Sequence, residues 1–297
     1  MKSVAIIGGG AAGLSAALAC GRAAKRLSQP LAITVYEVDD KVGRSILRSG
    51  NGRCNFSNAN ISPDKYSNSA FVAEVLRECE PAAIRRIFSS VGLTWHEESE
   101  GRLYPSTRKA STVLAILRAA LAEYQVTESC GVRVSHIEPP SKKARCYTLC
   151  MADGVFNRAD AVIVAIGGHD GLECLPPDID IWPFEPTLGP LKTSGVSLKG
   201  LDNIRVKGSI TLKRSNARPG ERMACEQGEI MFRKYGVSGI AAFNISRKAR
   251  PGDELILNLF EEVPPAALGV WLQLRAKQLA EEFSRVDIAH VLRGILL

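Results

Sequence analysis

The sequence predicts an α/β chain: a Rossmann-like, doubly wound unit followed by a smaller, mostly β unit with helices. Three observations predict it. Residues 3–37 read as strand, glycine turn, helix and strand. A second apolar run, "ADAVIVAIGG" at 159–168, ends on a glycine pair, as a buried parallel strand does. Beyond the proline-rich "WPFEPTLGPLKT" the pattern turns to the apolar–polar alternation of half-exposed antiparallel strands.

Each element follows in order. "SVAII" at 3–7 is short, apolar and rich in β-branched residues. "AGLSAALACGRAAKRL" at 12–27 spaces its apolar residues helically and carries basic residues in its last turns, where they complement the helix dipole. "LAITVYEVDD" is the second strand, so residues 3–40 make a βαβ unit. Gly43 to Asn60 has almost no periodic apolar face and reads as a long functional loop. Residues 69–92 read as two helices broken at Pro81, and 106–124 as another opening on Ser/Thr caps; "LTWHEESEGRLYP" between them reads as a two-stranded excursion. "QVTES", "VRVSHIEP" and the stretch 144–168 supply further strands. "NIRVKGSITLKR" and "DELILNLF" alternate, and 264–297 is helical by pattern. A boundary near residue 188 divides a dinucleotide-binding domain, 1–188, from a second domain, 189–297.

Composition narrows the function classes. Hydrophobic content of 45% and charged content of 23% fit a globular chain. The net charge of +7 comes from scattered Lys and Arg without aromatic interleaving, which favours a cleft for phosphate-bearing ligands over nucleic acid. Glycines interrupt the apolar N-terminus, and no run reaches the ~20 apolar residues of a membrane span, so no membrane association and a cytoplasmic location are expected. The eight cysteines form no CxxC and are expected to be reduced. Cys146 and Cys150 lack the partners of a zinc site, and no metal is expected.

The sharpest motif is Gly8-Gly9-Gly10-Ala11-Ala12-Gly13, a G-x-G-x-x-G between a strand and a helix. Gly8 permits the tight turn, Gly10 lets the backbone approach a pyrophosphate, and Gly13 allows close helix–strand packing; Ala12 lies in the first helical turn, whose N–H groups attract negative charge. Glu37 ends the next strand, where an acid accepts the hydrogen bonds of a ribose diol and disfavours a 2′-phosphate. FAD and NAD both satisfy that pattern. The order that follows, "KVGRSILRSGNGRCNFSN", suits a chain running along a pyrophosphate toward a flavin.

On these stretches the sequence resembles the BaiN-like or YhiN-like bacterial flavoproteins, also called aminoacetone-oxidase-like FAD-dependent oxidoreductases. The resemblance rests on "VAIIGGGAAGLSAALA", "GRSILRSGNGRCNFSNAN", "EGRLYPSTRKASTVLAILRAAL", "AVIVAIGG" and "GEIMFRKYGVSGIAAFNIS", in the family's order. It implies an FAD domain of glutathione-reductase type with an inserted domain of β-barrel and helices on the substrate side. It also implies that Gly8, Gly10, Gly13, Glu37, Gly43 and Arg44 hold the adenosine and pyrophosphate. Val134 would meet the adenine through its backbone, Gly167 and Gly168 would pass close to the cofactor, and Gly50, Asn51, Gly52, Arg53, Cys54 and Asn55 would lie beside the flavin. Two departures accompany the match. The segment after Gly168 is shorter than the family's, and the family's C-terminal segment of ~100 residues, an ordinary domain's size, has no counterpart here. Either the sequence is truncated, or a partner chain or homo-oligomer completes the FAD site.

The candidates for chemistry are few. Cys54 is either a thiol activated by Arg48 and Arg53 or a small residue buried in a tight loop. His169, directly after Gly168, is a candidate acid or base, with a plain loop histidine as the alternative. Arg233, Tyr235 and Ser238 are candidates for binding an anionic or carbonyl substrate, although Ser238 could simply cap a helix. The function expected is that of an FAD-dependent oxidoreductase acting on a small organic substrate, with NAD(P)H as reductant. A non-catalytic or partner-dependent flavin- or nucleotide-binding protein is the alternative, and an NAD-dependent dehydrogenase a third reading.

Overall fold

The computed structural model describes residues 1–66, 68–141, 145–168, 171–181, 188–195, 198, 200–214, 224–260 and 263–282. The chain divides into two units, Met1–Phe184 and Glu185–Leu297. The first contains β1 (Lys2–Ile7), α1 (Ala11–Arg26), β2 (Leu31–Glu37), α2 (Arg44–Arg48), β3 (Ser57–Asn58), α3 (Ser69–Glu78), α4 (Pro81–Ser90), β4 (Trp95–Glu97), β5 (Arg102–Pro105), α5 (Ala110–Ala122), β6 (Thr127–Cys130), β7 (Val134–Glu138), β8 (Tyr147–Met151), β9 (Phe156–Ala159) and β10 (Ala161–Val164).

Its centre is a parallel sheet in the order β10-β1-β2-β6. Ile6 lies opposite Val35 on one side and Ile163 on the other. Because side chains alternate along a strand, the sheet presents two apolar faces, each of which must be covered. Ile6, Ile33 and Val35 pack with Leu14 and Leu18 of α1 and Leu117 and Leu121 of α5. Ala5 and Ile7 pack instead with Ile137, Leu149 and Met151 of the antiparallel sheet β7-β8-β9. Burying a leucine such as Leu14, 0% exposed, stabilises the fold by roughly 2 kcal/mol. β1 and β10 are also tied at their N-terminal ends, where the backbone N–H and hydroxyl of Ser3 donate to Asp160 at 2.7 and 2.9 Å.

Three local expectations change. Residues 43–60 are more ordered than a loop: they contain α2, a tight turn at Ser49–Gly52 and β3. The excursion at 93–105 gains that third strand, in the order β3-β5-β4. The helix expected to open on Ser/Thr caps starts at Ala110 with Lys109 in the cap position and no capping side chain. Arg108 turns the chain left-handed there (φ 53), and the hydroxyl of Thr107, upstream of the turn, pairs with that of Thr112, inside α5, at 2.7 Å.

The second unit contains β11 (Leu191–Lys192), β12 (Arg205–Lys213), β13 (Ala224–Arg233), β14 (Gly236–Ser238), α6 (Ile240–Ser246), β15 (Glu254–Asn258) and α7 (Pro265–Glu282). Antiparallel pairing gives the order β11-β14-β13-β12-β15, with β11 and β15 at the two ends among the described residues. Ile210, Leu212, Ile230 and Phe232 point to one face, which α6 covers with Ala241, Ala242 and Ile245. Among the described residues, no helix is long and apolar enough to cross a membrane.

Candidate functional site: a nucleotide cradle and the loop beyond it

The cradle forms where β1 runs into α1. Gly8 has φ 104, and its N–H donates to the carbonyl of Tyr36 at 2.8 Å. A Cβ at Gly8 would stand 2.4 Å from the carbonyl oxygen of Ala165, just beyond β10, so the turn passes close against the neighbouring strand. A Cβ at Gly13 would stand 1.8 Å from the carbonyl oxygen of Gly8, which only a glycine allows. α1 begins at Ala11 with no acidic residue in its first turn and no capping side chain on Gly10. Its first N–H groups, including that of Ala12, therefore point toward a position suited to an anion.

Glu37 closes the cradle. One carboxylate oxygen accepts the Gly9 N–H at 2.7 Å and the other the Asp39 N–H at 2.9 Å. A carboxylate has about four acceptor positions, so two remain for a ribose diol. The Gly43 N–H donates to the Gly9 carbonyl at 2.8 Å, which docks the start of α2 on the glycine turn. Arg44, which the family resemblance places at the adenosine and pyrophosphate, follows Gly43 at the start of α2. Its guanidinium pairs with Asp39 at 2.8 Å and Asp40 at 3.5 Å, because the two acids between Glu37 and Gly43 lie within its reach. Ser45 is a residue the sequence reading passed over: its hydroxyl lies 3.1 Å from where a Gly10 Cβ would be.

The remaining predicted cofactor residues come together around this turn. The N–H groups of Gly131 and Val132 donate to the carbonyls of Asp39 and Glu37 at 2.8 and 2.9 Å, bringing the start of β7, with Val134, beside the end of β2. Ala165 donates to the Ile7 carbonyl at 2.7 Å, and Gly167 (φ 83) and Gly168 follow. His169 lies outside the described residues.

From the cradle, α2 leads into residues 50–55. Gly50, Asn51, Gly52 and Cys54 are all left-handed, with φ 56, 56, 80 and 59. Cys54 is 5% exposed and packs in the α1/α5 core. Burial pushes its thiol pKa up, only partly offset by a hydrogen bond with Ser49. Arg53, one of the two arginines in the activated-thiol reading, lies over the Tyr104 ring at 4.6 Å and pairs with Glu98 at 3.4 Å. A raised pKa means less thiolate at neutral pH. In the native chain Cys54 should therefore react with a disulfide reagent about tenfold or more slowly than the exposed Cys79 and Cys225. Labelling of Cys54 at the rate of Cys79, read by peptide mass mapping, would count against its structural role.

In the second unit Arg233 turns toward Asp202 and Asn203, at 3.9 Å from the Asp202 carboxylate. Tyr235 is 43% exposed in the turn between β13 and β14. Ser238 is not a helix cap: it is 5% exposed inside β14, and Gly239 holds the position before α6.

Strand order, glycine turn and strand-terminal acid together define a Rossmann-like dinucleotide-binding domain. Residues 2–172 match the family described as HI0933-like protein Rossmann domain, and the chain belongs to that family. The 3-dehydro-bile acid delta(4,6)-reductase of Clostridium scindens is 29% identical over 263 residues, which cover 85% of this chain and 61% of that protein. Two ribosomal RNA dihydrouridine synthases are also similar. That of Haemophilus influenzae is 25% identical over 273 residues (86% of this chain, 63% of the relative), and that of Escherichia coli 26% over 280 (87% and 64%). The chain thus spans just under two thirds of the length of these curated relatives.

Proposed function

We propose that the chain is the cofactor-binding part of an FAD-dependent oxidoreductase that takes electrons from NAD(P)H and saturates a conjugated carbon–carbon double bond in a small organic substrate. The observation that carries the cofactor is the cradle itself. A glycine turn too tight for any Cβ at Gly8 or Gly13 leads into a helix whose first turn is free of acids, and Glu37 keeps acceptor positions for a ribose. The residues present fit FAD. Gly8, Gly10 and the first turn of α1 would hold the pyrophosphate, and Glu37 the adenosine ribose; the negative charges of Glu37, Asp39 and Asp40 weigh against a 2′-phosphate there. Residues 50–55, five helical residues further along the chain, would border the flavin.

When bound, FAD supplies the two-electron transfer between nicotinamide and substrate. The chain's own residues bind and orient. The helix N-terminus stabilises the diphosphate charge, Gly13 lets the helix approach, and the Gly43 contact fixes the path toward residues 50–55. The choice of reaction is supported by the relatives: a delta(4,6)-reductase and dihydrouridine synthases are both named for saturating a double bond. A small molecule is proposed as the substrate on the relative with the higher identity.

Purified with excess FAD, the chain should retain flavin absorbance and melt at a higher temperature than without it. It should then oxidise NADH or NADPH with an artificial acceptor, and saturate a steroid enone in preference to a uridine-containing RNA transcript. Absence of both absorbance and thermal shift would overturn the cofactor; saturation of RNA alone would overturn the substrate class.

A further inference from the structure

Residues 50–55 meet a cluster of charge that the cradle does not use. Glu98, between β4 and β5, is faced by three groups from three elements. Arg53 of the loop is 3.4 Å away, His96 of β4 is 3.1 Å away, and Arg108, after β5, is 3.3 Å away. His96 stacks beside Tyr104, with ring centroids 6.4 Å apart, and Arg53 lies over that same ring. Tyr104 in turn underlies the loop: a Cβ at Gly50 would come within 3.3 Å of its ring.

Backbone strain concentrates at the same corner. Seven described non-glycine residues have positive φ, and four of them, Asn51, Cys54, Glu100 and Arg108, lie in the loop and the hairpin segments around Glu98. Such conformations cost about 1 kcal/mol or more each and persist where surrounding contacts over-determine them. Their clustering beside the path from the cradle asks what holds the loop in place.

We infer that Glu98 is a positioning residue: by holding Arg53 from outside, it fixes residues 50–55 in the conformation that receives the flavin end of the cofactor. The assignment of that end to the loop rests on the cofactor reading above. Charge makes Glu98 the critical member. Two guanidiniums share its single carboxylate, so neutralising it removes a pair and also leaves Arg53 and Arg108 without a shared counter-charge. Removing Arg108 instead leaves Arg53 with the whole carboxylate. The hydrogen bond with His96, with the charges of Arg53 and Arg108 opposing partial desolvation, holds the Glu98 carboxyl below the ordinary carboxylate range. The contact therefore persists into mild acid and is lost as pH falls through that lowered value.

Hydrogen exchange on the FAD-free chain tests the loop, and flavin titration tests its consequence. Glu98→Gln should speed exchange across 49–55 about fivefold and raise the FAD dissociation constant by a similar factor. Arg108→Gln should leave both near the wild-type values. Protection across 49–55 that survives Glu98→Gln, or an equal loss in Arg108→Gln, would overturn the role. Faster exchange with unchanged FAD affinity would overturn the link to the cofactor. If the wild-type chain binds no FAD, the cofactor reading fails, while the exchange comparison still decides whether Glu98 holds the loop. Should Glu98→Gln not fold, Arg53→Gln removes the same pair from the loop side and carries the same expectations.

Discussion

Gly13→Ala should cost the chain its cofactor site and much of its stability together. The new Cβ would lie 1.8 Å from the carbonyl oxygen of Gly8, and neither atom can yield cheaply. Gly8 is held by its hydrogen bond to Tyr36 and by the nearby Ala165 carbonyl, while Gly13 sits in a helix whose Leu14 and Leu18 are locked in the core. Relief requires α1 to move away from β1. That opens the packing of the sheet's helical face and displaces the N–H groups that would meet a diphosphate. Overpacking of this kind costs about 3 kcal/mol or more, which for a domain of this size lowers the melting temperature by roughly 6–12 °C. Thermal melts and flavin retention should fall together; a Gly13→Ala chain that melts like the wild type would refute the close packing.

Glu37→Gln should weaken FAD binding about a hundredfold, since a charged acceptor adds about 1–1.5 kcal/mol to each of two hydrogen bonds over a neutral one. The reason lies in the cradle's own hydrogen bonds as much as in the cofactor. Glu37 gives one oxygen to Gly9 and the other to Asp39. Glutamine keeps the shape but has one acceptor oxygen, and its NH2 group would face a backbone N–H. One half-buried donor is orphaned, at a cost of about 1–3 kcal/mol before any ligand binds. The expected signature is lower stability of the FAD-free chain together with lower affinity, measured by melting and by flavin titration. An unchanged affinity would remove Glu37 from the ribose.

The first βαβ unit was legible because each of its signals is local. The strand is apolar, the turn demands glycine, the helix repeats at its own period, and the acid stands at a strand end. Residues 2–37 folded as read, and the family match over 2–172 follows from the same stretches. What escaped the reading is set by contacts between distant segments. The ion pairs of Arg44 are with Asp39 and Asp40, which the Gly-Arg pair alone does not name. Arg53 adjoins Cys54 and enters one of the two readings of that thiol. Its partners are Tyr104 and Glu98, which adjacency in sequence could not reveal. The cover on the second face of the sheet was also hidden. "VRVSHIEP" and "ARCYTLCM" read as strands, but nothing in their alternation says that they pair with each other rather than extend the parallel sheet.

The parallel pairing of β1 with β10 sets a timetable for biosynthesis. Ser3 and Asp160, which tie these strands, are 157 residues apart. At ribosomal rates of about 5–20 residues per second, β1 waits roughly 10–30 s after its own synthesis before that neighbour exists. During that interval β2 and β6 can already pair, but one edge of β1, whose Ala5, Ile6 and Ile7 are buried in the finished fold, stays open to other nascent chains. The nucleotide cradle cannot close earlier either, because Ala165 forms part of its wall. Production in cells should therefore depend on holdase chaperones more than the size of the chain would suggest.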